Sequence, residues 1–128
     1  MSEKIRTHRE PRVYRNGFEL AMEIFELSKR FPSEEKYSMT DQIRRSSRSV
    51  CANIAEAWRR RRYEKSFISK LNESEAEAAE TQVWLEFALN LSYITEKEFE
   101  KLFKEYEVVS RQLVKMINSA ENWVFTNV

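Results

Sequence analysis

The sequence predicts an all-α fold, an antiparallel up-down-up-down bundle of four helices. Three observations predict it. Apolar residues recur at steps of three and four along most of the 128-residue chain, the period of an α-helix that buries one face. One Gly and two Pro in the whole chain leave too little punctuation for a sandwich or barrel, which turns roughly every 8–12 residues. A composition of 41% hydrophobic and 34% charged residues is that of a globular domain rather than a disordered chain. The length suits one domain around one core.

Residues 1–15 carry Lys4, Arg6, Arg9, Arg12 and Arg15 with Pro11 among them, and read as a loose basic arm before a bundle domain over residues 16–123. The arm lacks the apolar run of a secretory signal. Helix one is expected from about Phe18 to Phe31, because Leu20, Ile24, Leu27 and Phe31 step by four, three and four. Gly17 precedes it and Pro32 ends it, since the residue before a proline is pushed out of the α region. Helix two is expected from about Thr40 to Arg61, with Ser38 or Thr40 as N-cap and Asp41 in the first turn. Its apolar stripe is Met39, Ile43, Val50, Ile54, Ala57 and Trp58. Ser46, Ser47, Ser49, Cys51, Ala52 and Ala55 are small enough to let a neighbouring helix come close.

Arg62 and Tyr63 mark the next turn. Helix three is expected from about Glu64 to Tyr93, with a seam of Phe67, Leu71, Ser74, Ala78, Leu85 and Leu89. Thr95 and Glu98 make a capping box that opens helix four. That helix runs to about Asn122 on Phe99, Leu102, Phe103, Tyr106, Val109, Leu113, Met116, Ile117 and Ala120. A short tail closes the chain at residues 124–128.

The same residues narrow the chemistry. The one histidine, His8, lies in the arm, so the bundle holds no His-dependent acid–base or nucleophilic site. Cys51, the one cysteine, has no histidine to activate it and reads as a small buried hydrophobe; a reducing compartment fits. Zinc has too few ligands, and the Glu-x-x-His pairs of a di-iron bundle are missing. Glu73, Glu77 and Glu80 share one face of helix three. They read as a solvated or salt-bridged row before they read as a hard-cation site. The expectation is a non-enzyme without metal or cofactor. No stretch is long and apolar enough to span a membrane, and the cytoplasm is expected.

Net charge is +1, but the charge is segregated. Residues 43–70 hold nine basic side chains (Arg44, Arg45, Arg48, Arg59, Arg60, Arg61, Arg62, Lys65 and Lys70) against Glu56 and Glu64. Residues 71–107 hold ten Glu against three Lys. On a helix, Arg44, Arg48, Arg59 and Arg62 fall within about 60° of one another, away from the apolar stripe, and Lys65 and Lys70 extend the charge. Such a row can track phosphates, to which arginine bonds bidentately. It can equally pair with glutamates of a neighbouring subunit, or simply keep a face in solvent.

Trp84, Phe87 and Leu91 point away from the seam of helix three, in line with Glu73, Glu77 and Glu80. An apolar patch with an acidic extension suits a subunit interface, the acidic line meeting the basic row of the next copy; the alternative is a wide face buried within the bundle itself. Two function classes follow. One is an oligomeric nucleic-acid-binding protein, with RNA favoured over DNA. The other is a homo-oligomeric interaction scaffold serving an unidentified protein client.

Gln42-Ile43-Arg44-Arg45-Ser46, Asn53-Ile54-Ala55-Glu56, Phe67-Ile68-Ser69-Lys70-Leu71 and Glu80-Thr81-Gln82 resemble the 23S rRNA-intervening-sequence proteins over residues 13–120 or so. The resemblance implies a bacterial four-helix bundle that assembles as a homopentameric ring. It suggests RNA binding and carries over no catalytic residue. After Asn53-Ile54-Ala55-Glu56, where relatives usually have Gly and more small residues, this chain reads Ala57-Trp58-Arg59-Arg60-Arg61-Arg62.

Overall fold

A computed structural model describes residues 7–125. Four helices carry the chain: α1 over Arg12–Ser28, α2 over Met39–Arg59, α3 over Glu64–Asn90 and α4 over Glu96–Asn118. Single 3₁₀ turns follow α1, at Ser33–Glu35, and α4, at Ala120–Asn122. No strand occurs among the described residues. Each helix packs on the next in chain order and α1 closes against α4, an arrangement compatible with up-down-up-down order.

α1 starts six residues before the expected Phe18, so Arg12 and Arg15 are helical and not part of an arm. Pro11 occupies the N-cap (φ −58°). The buried line is Val13, Gly17, Leu20, Ile24 and Leu27, and its first member lies among basic residues that mask the period. Gly17 sits inside the helix, not before it. A Cβ there would lie 3.4 Å from both Cys51 Sγ and Val50 Cγ1, so α1 and α2 come close at this point. The helix also ends earlier than expected, at Ser28. Arg30 and Phe31 then bond back three residues to Leu27 and Ser28, with N–H···O distances of 3.1 Å.

Helix two begins next to Ser38, whose side chain makes no capping bond, and Thr40 is buried. The small residues act as expected. Ser46 Oγ lies 2.8 Å from Thr81 Oγ1, and Ser74 Oγ donates to the Val50 carbonyl at 2.8 Å. With Ala78 fully buried, α2 and α3 seat together along satisfied polar contacts, so the buried hydroxyls carry no unpaired cost.

α3 has 27 residues, about 40 Å, and stops at Asn90 rather than Tyr93. Ser92 takes φ 62°. Tyr93 N–H donates to Ala88 C=O and Ser92 N–H to Leu89 C=O, the double bond pattern of a Schellman cap. The Thr95–Glu98 capping box forms in both directions. Thr95 N–H donates to Glu98 Oε1 at 2.9 Å, and Glu98 N–H to Thr95 Oγ1 at 3.1 Å. Phe67, Leu71, Leu85, Tyr106, Val109 and Leu113 are fully buried with Ile24, Ile43, Val50 and Ile54. Each large member contributes about 1.5–3 kcal/mol of apolar transfer.

Candidate nucleic-acid interface

The cationic row of α2 is held by α1. The Arg44 guanidinium lies 4.6 Å and that of Arg48 5.7 Å from the centroid of the Phe25 ring. Arg44 Nε also donates to Ser28 Oγ at 2.7 Å. A ring beneath a guanidinium orients it while leaving its N–H edge open. Neither arginine makes an ion pair among the described residues. Arg59, the last residue of α2, is exposed where cations favour the helix C-terminus.

The row does not continue as a helix to Arg62. Arg60 is the C-cap (φ −104°, ψ 18°) and bonds back to Ala57 C=O, so Arg60 to Tyr63 form a corner. Arg60 Nη1 donates to Ser66 Oγ at 3.2 Å. Arg61 is held by contacts within the chain. Its guanidinium sits between two aromatic rings, 3.5 Å from the Trp58 centroid and 4.7 Å from that of Phe125. Its Nε donates to the Trp58 carbonyl at 2.8 Å, and burial lowers its pKa. Phe125 N–H donates to Arg61 C=O at 3.0 Å, and Trp123 meets Trp58 edge to face at 6.2 Å. The chain end is thereby stitched to the α2–α3 corner.

An open cleft of about 840 Å³ at this corner is lined by Thr7, His8, Arg9, Trp58, Arg59, Arg61, Arg62, Tyr63 and Phe125. None of its lining residues is acidic. Arg59, Arg62 and the nearby Lys65 make no ion pair among the described residues.

Other members of the basic block are committed elsewhere. Arg45 bonds bidentately to Glu77, both distances 3.2 Å, and also bonds Glu80; these bonds raise its pKa. Trp84 Nε1 donates to Glu80 at 3.2 Å. Lys70 bridges Glu56 at 3.5 Å and Glu73 at 3.2 Å. The acidic line of α3 thus meets cations of its own chain. No group of three or more His, Cys, Asp or Glu poised to hold a metal occurs among the described residues.

The apolar part of the expected interface divides. Trp84 packs half-buried against the core. Phe87 and Leu91 stay 53% and 48% exposed, with the Phe87 ring 5.9 Å from that of Trp84. A second apolar surface, missed in the sequence, is the groove between α1 and α2 lined by Tyr14, Phe18, Ala21, Met22, Ala52 and Ala55. The aromatic members of the basic cleft were missed too. Trp58 and Tyr63 bracket the four-arginine run, and that spacing was the available signal; Phe125 had none.

A family model described as 23S rRNA-intervening sequence protein matches residues 9–115. A solved structure from Bacteroides thetaiotaomicron, a protein with unknown function from the S23 ribosomal protein family, superposes with a TM-score of 0.75 and 34% sequence identity. The match covers 83% of this chain and 95% of that one. No curated protein matches.

Proposed function

The chain belongs to the 23S rRNA-intervening sequence protein family, and from that premise we propose that it is a non-catalytic, homo-oligomeric RNA-binding protein of the bacterial cytoplasm. One observation carries the reading. Arg44, Arg48 and Arg59 on α2, Arg62 in the corner after it and Lys65 in the first turn of α3 make no ion pair among the described residues, whereas Arg45 and Lys70 have carboxylates. A cationic ridge left uncompensated in a chain of net charge +1 is the footprint of a polyanion partner.

Self-association as a pentameric ring is part of the proposal. The exposed Phe87 and Leu91 at the end of α3 and the exposed Phe18 and Met22 of α1 are two different apolar surfaces. A head-to-tail ring needs two unlike patches per copy, whereas a two-fold dimer needs one. Repeating the arginine ridge around a ring would multiply phosphate contacts.

The test is binding of a labelled RNA at two salt concentrations. Five phosphate contacts per copy give a slope of log K against log salt of about −3.5 on single strands and about −4.5 on duplex. Binding that ignores salt, or is absent from RNA and DNA alike, rejects the reading. The scaffold alternative draws on the same exposed Phe87 and Leu91. Replacing Arg44 and Arg48 by Glu separates the two. Loss of RNA with the native particle mass intact supports RNA binding, and dissociation into monomers supports the scaffold.

A further inference from the structure

The α2–α3 corner differs from the rest of the cationic ridge in carrying exposed aromatic rings. Tyr63 is 66% and Phe125 56% exposed, within the cleft formed with Arg9, Arg59, Arg61 and Arg62. Exposed rings beside arginines are the combination on which single-stranded nucleic-acid binders stack bases. The platform is preordered. Phe125 is held through its backbone bond to Arg61 and by the Arg61 guanidinium against its face. Tyr63 is the N-cap of α3, and its carbonyl accepts from Phe67 N–H at 2.9 Å. The cleft's volume, about 840 Å³, lies within the range of small-ligand sites, about 300–1,000 Å³.

We propose that this cleft binds an unpaired nucleotide of an RNA strand, its base stacked on Tyr63 or Phe125 and its flanking phosphates on Arg59 and Arg62. The proposal rests on the RNA-binding reading above and adds a preference to it. A base still paired in a duplex presents only its edge, so its π-face cannot reach Tyr63. A loop, bulge or free end presents that face. Along the ridge, Phe25 lies beneath the Arg44 and Arg48 guanidinium groups, and the half-exposed Phe18 ring lines a groove with Arg48 that shares no residue with the corner cleft. Phosphate contact along the ridge and base contact at the corner are therefore separable.

The experiment is fluorescence anisotropy on the full chain with a labelled single-stranded RNA and a blunt duplex of the same length, in low salt. The proposal expects tighter binding of the single strand. It expects Tyr63→Ala to weaken that binding about tenfold while leaving duplex binding unchanged, and Tyr63→Phe to retain it. A free nucleoside monophosphate should compete only in large excess, since it offers one phosphate. Tyr63 is exposed, so a folding defect in Tyr63→Ala is not expected, and unchanged circular dichroism checks this. Equal binding of strand and duplex, unaffected by Tyr63→Ala yet steep in salt, overturns this proposal and leaves the ridge reading standing. Displacement of the strand by stoichiometric mononucleotide overturns the strand assignment. Absence of binding to either RNA overturns both.

Discussion

Replacing Arg48 and Arg59 together by Ala tests the division of cations that the fold produces. Both are exposed and make no ion pair among the described residues. Arg48 contributes only its face-on contact with Phe25, about 0.5–1 kcal/mol at an exposed site, so the fold should survive. Five phosphate contacts, one each at Arg44, Arg48, Arg59, Arg62 and Lys65, predict a slope of about −3.5 on single-stranded RNA, and a fourfold rise in salt then weakens binding about 130-fold. Removing two contacts brings the slope to about −2.1 and the same salt step to about 20-fold. Arg45→Ala is the matched control. It removes one charge from the same helix, but a charge already bonded to Glu77 and Glu80, so its slope should stay near −3.5 or so. The assay is a filter-binding titration across salt for each variant, with circular dichroism to verify folding. An unchanged slope in the double variant refutes the ridge as the contact. A slope lowered as much by Arg45→Ala refutes the division into paired and free cations.

Three stability predictions follow from local geometry. Ser92 holds the left-handed Schellman position at φ 62°, so Ser92→Gly should stabilise by about 0.5–1 kcal/mol; a lower urea midpoint would contradict the assignment. Tyr106 is fully buried and its hydroxyl has no hydrogen-bond partner among the described residues. Tyr106→Phe should therefore be neutral or stabilising by about 1 kcal/mol, and a clear loss in the melting midpoint would show that the hydroxyl is satisfied. Burial pushes the Cys51 thiol up to about 12 from 9.0. The unfolded chain then releases this proton first, so the thiol's contribution is whole below pH 9 or so and is lost as pH rises through about 12. Native Cys51 should also resist alkylation at neutral pH until the chain unfolds; rapid native labelling would show an open site.

Much of the architecture was legible because it is written in short-range periodicity. The stripes of α2, α3 and α4 and the Thr95–Glu98 box each lie within one or a few turns, and a helix buries what its own spacing puts on one face. The corner was expected near Arg62 and Tyr63 with no Gly or Pro to mark it, and α2 ends two residues before the expected Arg61. The start of α1 was not legible. Val13 and Gly17 read as loop beside Arg12 and Arg15, and only the packing of α1 on α2 shows Gly17 to be a helical position against Val50 and Cys51.

By itself, the sequence determined four amphipathic helices, a chain with its cations gathered in one stretch, and the absence of any histidine from the bundle. Which cations remain available was decided by tertiary structure alone. Arg45 and Lys70 look like their neighbours in sequence, but α3 brings Glu77, Glu80 and Glu73 to them. Arg44 and Arg48 instead face an aromatic ring on α1. The corner cleft likewise joins residues 7–9, 58, 59, 61–63 and 125, which no local pattern relates. The physical reason is the same in both cases: a helix's own period fixes which side a residue faces, and only packing fixes what stands opposite.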